Sequence, residues 1–234
     1  MKTVIIAAGM GSRLWSQSDK IPKCLLPLYN GTILSNIIER FKQIGIKKFG
    51  LVVGYKKEII IDYLKANNNF DVNVEFIYNP DWEKANGISV YKSREFVDGE
   101  SFLLSMSDHI VSVSALQKIK NADGNCNFLL CDKRIEKIFD IDDATKTLTE
   151  EDRIISIGKD LKNYNAIDCG MFKLNESFFY AMEEQIAVGK DSLSSGIQKL
   201  IERDNMRAVF MSESDCWIDV DTPEAYDYIS KHQI

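Results

Sequence analysis

The sequence contains no Gly-Lys-Ser or Gly-Lys-Thr step, which excludes a Walker phosphate loop. Leu14 stands where a dinucleotide fingerprint beginning at Gly9 would need its third glycine, which excludes that loop too. Histidine is scarce, with only His109 and His232, and Ser107, Ser112 and Ser114 have no His and acid arranged to activate a nucleophile. The five cysteines, Cys24, Cys126, Cys131, Cys169 and Cys216, are odd in number and scattered without a C-x-x-C pair. They read as reduced thiols rather than as a disulfide frame or a zinc site. No basic tail or Lys/Arg block offsets the formal net charge of -6, which argues against a nucleic-acid partner while leaving room for a local pocket that takes a small anion. No apolar run approaches membrane-spanning length and a strand pattern begins directly at Lys2, so a cytoplasmic protein is expected.

What is present is organised around Val4-Ile5-Ile6-Ala7-Ala8-Gly9-Met10-Gly11-Ser12-Arg13-Leu14, followed by Ile21-Pro22-Lys23. An apolar stretch of strand length stops at two alanines and two glycines, so the chain turns tightly and leaves N–H groups uncovered by side chains. Such a turn can cradle phosphates. Arg13 adds a planar fork and Lys23 a mobile point charge, both suited to a triphosphate. Either glycine alone would signify only a turn at a strand end; together with Arg13 and Lys23 they point to an anion site.

With 234 residues, 45% of them hydrophobic, the chain suits one globular unit. Ile33, Ile37, Ile38, Phe41 and Ile44 form a helical stripe over 32–44, closed by Gly45, and 49–53 is a short strand. A helix over 55–64, a strand over 72–78, a helix from Ile88 to about Phe96 and a strand over 101–107 continue the alternation. This pattern predicts an α/β fold, a mostly parallel twisted sheet with helices on both faces. The charged, interrupted stretch at about 133–165 is expected to be a small projecting β lobe over the sheet edge, and 166–174 to return to the sheet. Ligands in open parallel sheets bind beyond the carboxyl ends of the strands, which places Gly9 to Arg13 and Asp108 on one edge.

Asp108 follows one apolar run and Asp219 sits in another, each where the chain leaves the core. Two carboxylates beside a triphosphate suffice for magnesium, which keeps several waters and takes phosphate oxygens. Each aspartate alone would be an ordinary capping or turn residue, and Asp221 suits the turn before the last helix. His109 is best read as a hydrogen-bonding neighbour of Asp108 rather than as a general base. Asn86, Gly87 and Ser89 suit either nucleoside contacts or a helix entry, and Lys159 either an acceptor phosphate or solvent. Trp15, Trp82 and Trp217 read as packing residues.

The motifs Ala7-Ala8-Gly9-Met10-Gly11-Ser12-Arg13, Pro22-Lys23, Ser107-Asp108-His109 and Trp217-Ile218-Asp219 resemble those of the sugar-phosphate nucleotidyltransferase superfamily. Lys84 to Ser89, Asp140 to Lys146, Ile157 to Leu161, Ile167 to Phe172 and Trp217 to Thr222 are most similar to CTP:inositol-1-phosphate cytidylyltransferases. The resemblance spans nearly the whole chain, with Ser107 standing where the family usually has Gly. It implies Mg2+ and CTP, with Ala7, Ala8, Gly9, Gly11, Ser12, Arg13 and Lys23 at the phosphates. It further implies Asn86, Gly87, Ser89 and Ser107 near the nucleotide, Asp108 and Asp219 on the metal, and Lys159 and Asp168 toward the acceptor, with Arg13, Lys23 and Lys159 as the catalytic cations.

The activity implied is transfer of CMP from CTP to inositol 1-phosphate, giving CDP-inositol and pyrophosphate. Phosphocholine, aminoethylphosphonate or a sugar 1-phosphate as acceptor, and a non-catalytic nucleotide-binding subunit, stay open beside it. A membrane CDP-alcohol phosphotransferase acting in trans and a second copy in a homodimer are the partners the resemblance suggests.

Overall fold

The computed structural model describes residues 1–11 and 21–232. Strand β1 (Lys2–Ala7) lies inside the sheet, and its side chains alternate between two apolar layers: Val4 packs into one and Ile5 into the other. After the hairpin β2 (Pro27–Leu28) and β3 (Gly31–Thr32), helix α1 (Ile33–Gln43) starts from a capping box in which Thr32 and Ser35 satisfy each other's backbone N–H. β4 (Lys48–Val53), α2 (Lys57–Ala66) and β5 (Asn73–Tyr78) follow as the alternation predicts.

The helix expected from Ile88 is two, α3 (Asn86–Tyr91) and α4 (Arg94–Val97). The break falls at Ser93, a fully buried residue whose Oγ–H donates to the Val90 carbonyl at 2.7 Å and so competes with the helical ladder. β6 (Phe102–Met106), the short β7 (His109–Val111), α5 (Val113–Asn121) and β8 (Asn127–Asp132) come next. The second half holds β9 (Lys146–Glu150), β10 (Arg153–Gly158), β11 (Ala166–Leu174), α6 (Glu176–Ala187) and α7 (Leu193–Glu202). β12 (Met206–Phe210), β13 (Trp217–Asp219) and α8 (Pro223–Lys231) complete the chain, the last helix capped by Thr222 with Pro223 in its first turn.

Nine strands form one sheet in the order β5-β4-β1-β6-β11-β8-β12-β10-β9. It is parallel from β5 through β6 and again between β8 and β12, while β11 runs antiparallel to both β6 and β8. β11 follows the β9–β10 hairpin and runs antiparallel to β9 as well. Within the segment 133–165, that hairpin stays hydrogen-bonded to the sheet through β11 and β12, and 133–145 is loop around the turn Ile135–Lys137. Helices α1, α5 and α8 cover one face and α6 and α7 the other. No described helix is long and apolar enough to cross a membrane.

The connection from β12 to β13 is pinned by Asp215, which is fully buried. It accepts hydrogen bonds from Ser114 Oγ at 2.5 Å, Ser212 N at 2.7 Å and Ser212 Oγ at 2.9 Å, and pairs with Lys118. Burial alone would raise this carboxyl, yet Lys118, Ser114 and Ser212 hold it well below the usual carboxylate range. Asp215→Ala leaves those donors without their acceptor, so urea unfolding at pH 7 is expected to show a loss of about 2–3 kcal/mol.

Candidate active site

The site begins where β6 ends. Asp108 links β6 to β7, and β7 pairs antiparallel with β13 in the register Asp219↔His109, Ile218↔Ile110, Trp217↔Val111. Ile110 and Ile218 point into the core and are essentially buried, so the period of two sends His109, Asp219 and Trp217 to the opposite face. The Val220 N–H donates to the Asp108 carbonyl at 3.0 Å and extends the ladder by one step. A strand register thus brings together Asp108 and Asp219, residues from distant parts of the chain.

Around this ribbon the ligand atoms of Asp108, His109 and Asp219 all lie within 4.8 Å of one another. His109 Nδ1 sits 2.8 Å from Asp108 Oδ1 and 3.7 Å from Asp219 Oδ1, the neighbour role expected of it. Asp219 Oδ1 is buried with no hydrogen-bond partner among the described residues. An orphaned carboxylate oxygen beside a second carboxylate is a donor set that suits a hard divalent cation.

Lys23 supplies the opposing charge. Its side chain, 9% exposed, places Nζ 2.6 Å from Asp108 Oδ2 and in contact with Asp221 Oδ1. Gly11 adopts φ +64° and lies against the Lys23 stem, where a Cβ would come within 2.7 Å of Lys23 Cβ, so only glycine lets the two segments meet this closely. Among the described residues, a Cβ at Gly9 would meet nothing within 4 Å. Asp221, expected to serve the following turn, is a partner of Lys23 instead. The alternation Asp219-x-Asp221 was the available signal, since residues two apart in extended chain share a face.

Opposed charges set the titration of the cluster. Burial would lower Lys23, but Asp108, Asp221 and Asp219 outweigh it and raise the ammonium above its ordinary value. Burial would raise Asp108, but Lys23 and His109 hold it below the usual carboxylate range. His109 is raised to about 9, the effect of burial being overcome by Asp219, Asp108 and Asp168. Asp219 goes the other way: burial, with Asp108 and Asp221 beside it, pushes it up to about 6 against the pull of His109.

A cleft of about 610 Å³ opens over these residues, lined by Ala7, Ala8, Gly9, Gly11, Lys23, Asn86, Ser89, Ser107, Asp108 and Asp219. Lys159 and Asp168 line it as well, with Asp140, Asp143 and Phe139 from the 133–145 segment. Lys159 Nζ bonds Asp143 Oδ1 at 2.6 Å, and Asp168 Oδ1 accepts from the Gly170 N–H at 2.7 Å, its carboxyl pushed by burial to about 6. Asn86 Oδ1 accepts from the Leu193 N–H at 2.9 Å, and Ser89 Oγ from Asn79 Nδ2 at 2.9 Å. Gly87 is not part of the lining: it is buried against the backbone of Asp191 and Ser192, a close approach that makes it a packing residue of α3 on α7. Ser12, Arg13 and Trp15 lie outside the described residues. Trp82 packs on Tyr55, whereas Trp217 stacks on His109, a contact that sequence reasoning missed. It also missed Asp132, which accepts from the Trp217 indole and pairs with Arg134 at the cleft wall.

A sheet with its carboxyl edge turned into a cleft, a glycine turn, a buried lysine and convergent carboxylates define a nucleotidyl-transfer scaffold. The chain belongs to the nucleotidyl transferase family, whose model matches residues 2–233. It is 34% identical over 231 residues to the bifunctional IPC transferase and DIPP synthase of Aquifex aeolicus, covering 99% of this chain and 51% of that protein. The chain thus spans about half the length of that relative. It is 27% identical to the CTP:phosphoglutamine cytidylyltransferase of Campylobacter jejuni, covering 94% of this chain and 96% of that one. The inositol-1-phosphate CTP transferase from T. maritima superposes with a TM-score of 0.85 at 27% identity, over 98% of this chain and 95% of that one.

Because the Asp219 carboxyl titrates near 6 when folded and near 4 when unfolded, the folded protein binds more protons between those values, and stability falls as pH rises through that window. In EDTA, Asp219→Asn is therefore expected to melt above the wild type at pH 7.5, with the gap closing toward pH 4; a variant that melts lower at pH 7.5 contradicts the raised titration of the Asp219 carboxyl.

Proposed function

We propose that this domain transfers CMP from CTP to inositol 1-phosphate, giving CDP-inositol and pyrophosphate. The observation that supports this best is the meeting of Lys23, Asp108, Asp219 and Asp221 beside the Gly9–Gly11 turn, in a chain that matches IPC transferases along nearly its whole length. Ser12 and Arg13, next in sequence after Gly11, are assigned to the phosphates in this reading.

In the reaction an oxygen of the acceptor phosphate attacks the α-phosphorus of CTP, a new P–O bond forms, and the bond to the bridging oxygen of the β-phosphate breaks. A phosphate monoester, with a second pKa of about 6, is already an anion at neutral pH, so no protein base is required. Mg2+, held by Asp108 and Asp219, would supply charge neutralisation on the triphosphate. Lys23 carries three ammonium donors and has two carboxylate partners among the described residues, which leaves one for a phosphate oxygen. Gly9 and Gly11 bring backbone N–H groups to the same phosphates, and Ala7, Ala8 and Ser107 form the adjoining floor. Asn86 and Ser89 approach the nucleoside, with Gly87 setting the helix beneath them.

Lys159 takes the acceptor phosphate by exchanging Asp143 for it, and Asp168 accepts from a hydroxyl of the polyol. The CDP-alcohol is a substrate for a membrane phosphotransferase, which is the partner this reading implies.

A matrix of CTP, UTP and dTTP against inositol 1-phosphate, phosphocholine, phosphoglutamine and glucose 1-phosphate, read by pyrophosphate release, tests the proposal. Release is expected with CTP and inositol 1-phosphate and to require a divalent cation; preferential turnover of another pair overturns the substrate assignment. Asp108→Asn and Lys23→Met are each expected to lower kcat by about 100-fold or more while melting stays cooperative.

A further inference from the structure

We propose that Asp132 is a positioning residue: through the Trp217 indole it holds His109, and with it the Asp108 and Asp219 carboxylates, in the arrangement that binds the divalent cation. The inference rests on the cation reading given above and deepens it.

His109 is confined on two sides. Its ring lies nearly parallel to Trp217, with centroids 5.9 Å apart and planes 20° from each other. Gly170, at φ +69°, brings backbone against the Cδ2–Nε2 side, where a Cβ would stand 2.3 Å from Cδ2. Only Nδ1 is left to face the carboxylates, at 2.8 Å from Asp108 and 3.7 Å from Asp219. Orientation of this ring therefore fixes one oxygen of Asp108, and Lys23 fixes the other.

The ring is only as well placed as the indole beside it. Trp217 lies at the cleft wall and is not fully buried, so packing alone does not fix its tilt. Its Nε1–H donates to Asp132 Oδ2 at 3.0 Å. Asp132 is 3% exposed and saturated: Oδ1 accepts from the Arg134 backbone N–H and Nε, both at 2.9 Å, and Oδ2 also accepts from Arg134 Nη2 at 2.8 Å. A carboxylate with four donors and a bidentate arginine is a rigid post. Arg134 also opens the 133–145 segment, whose Asp143 holds Lys159. The post thus joins the acceptor side of the cleft to the ribbon that carries the metal carboxylates. Outer partners of this kind typically control cation affinity by 10–100-fold.

The test uses Mn2+ as probe, with free Mn2+ read by electron paramagnetic resonance in the wild type, Trp217→Phe and Asp132→Asn. Trp217→Phe keeps an aromatic ring for the stack, though a smaller one, and removes the indole donor; Asp132→Asn keeps the shape and weakens the Arg134 pair. Each is expected to bind Mn2+ about tenfold more weakly, and to raise the Mg2+ activation constant in parallel, while CTP affinity in EDTA stays at the wild-type level. The double variant should lose no more than the worse single one, because Asp132 reaches His109 only through its contact with Trp217 in this inference. Should Asp132→Asn fail to fold, Trp217→Phe decides. Unchanged Mn2+ affinity and Mg2+ activation in Trp217→Phe overturn the inference while leaving the cation reading intact. A wild type that neither binds Mn2+ nor needs a divalent cation for turnover overturns that reading and the inference together.

Discussion

One buried ammonium makes the site tenable. Asp108, Asp219 and Asp221 converge at the end of a core strand, and three like charges in so small a space would push one another toward protonation. Lys23, 8% exposed, meets two of them directly and acts on the third through space. Its position is set by local chain geometry: Pro22 precedes a single 3-10 turn at Lys23–Leu25, and Gly11 leaves room for the lysine stem. Removing one partner of such a buried set typically costs 3–5 kcal/mol, because the remaining charges lose their compensation. The Gly11 turn with Lys23 and the three aspartates are consequently one electrostatic unit, although they come from distant parts of the chain.

The second constraint is the β7–β13 ribbon. A two-stranded ribbon this short has little stability of its own. Ile110 and Ile218 anchor it in the apolar layer under α1, α5 and α8, and the buried Asp215 pins the chain that leads into β13. The same alternation that buries the two isoleucines exposes His109, Asp219 and Trp217 to the cleft. A slip by one residue would bury a carboxylate and expose an isoleucine, so the packing of the core selects the register on which the chemistry depends.

These constraints account for what could be read in advance. The apolar run ending at Gly9 and Gly11, the stripe over α1, and Asp108 at the close of β6 were visible because period and turn chemistry are local signals. The pairing of Asp108 with Asp219 was legible only as two similar breaks in apolar runs, and it took the ribbon to make them neighbours. Three features escaped. The reversal of β11 lies in its pairing with β6 and β8, the break at Ser93 follows from one side-chain hydrogen bond, and the packing role of Gly87 from the backbone just before α7. Each depends on a partner distant in sequence or on a single contact, and periodicity carries neither. The Asp132-Arg134-Trp217 contact belongs to the same class, since nothing local to Trp217 names its hydrogen-bond acceptor.

The scarcity of conventional catalytic groups also finds its reason in the geometry. The proposed joining of two phosphates asks the protein to bring anions together, and proton removal is a minor part of that task at neutral pH. The cleft is built accordingly: Lys23 among carboxylates on one side, Lys159 held by Asp143 on the other, and His109 with its Nδ1 committed to Asp108. Both lysines have internal carboxylate partners, so a phosphate that displaces or supplements them replaces one anion with another and leaves the local charge nearly balanced. In a cleft walled by a packed sheet, such an exchange demands far less reorganisation than burying a new charge. In the reaction proposed above, the 133–145 segment and β11 are the wall that meets the acceptor, with Asp168 and Asp143 at the cleft and Arg134 joined through Asp132 to the ribbon carrying Asp219.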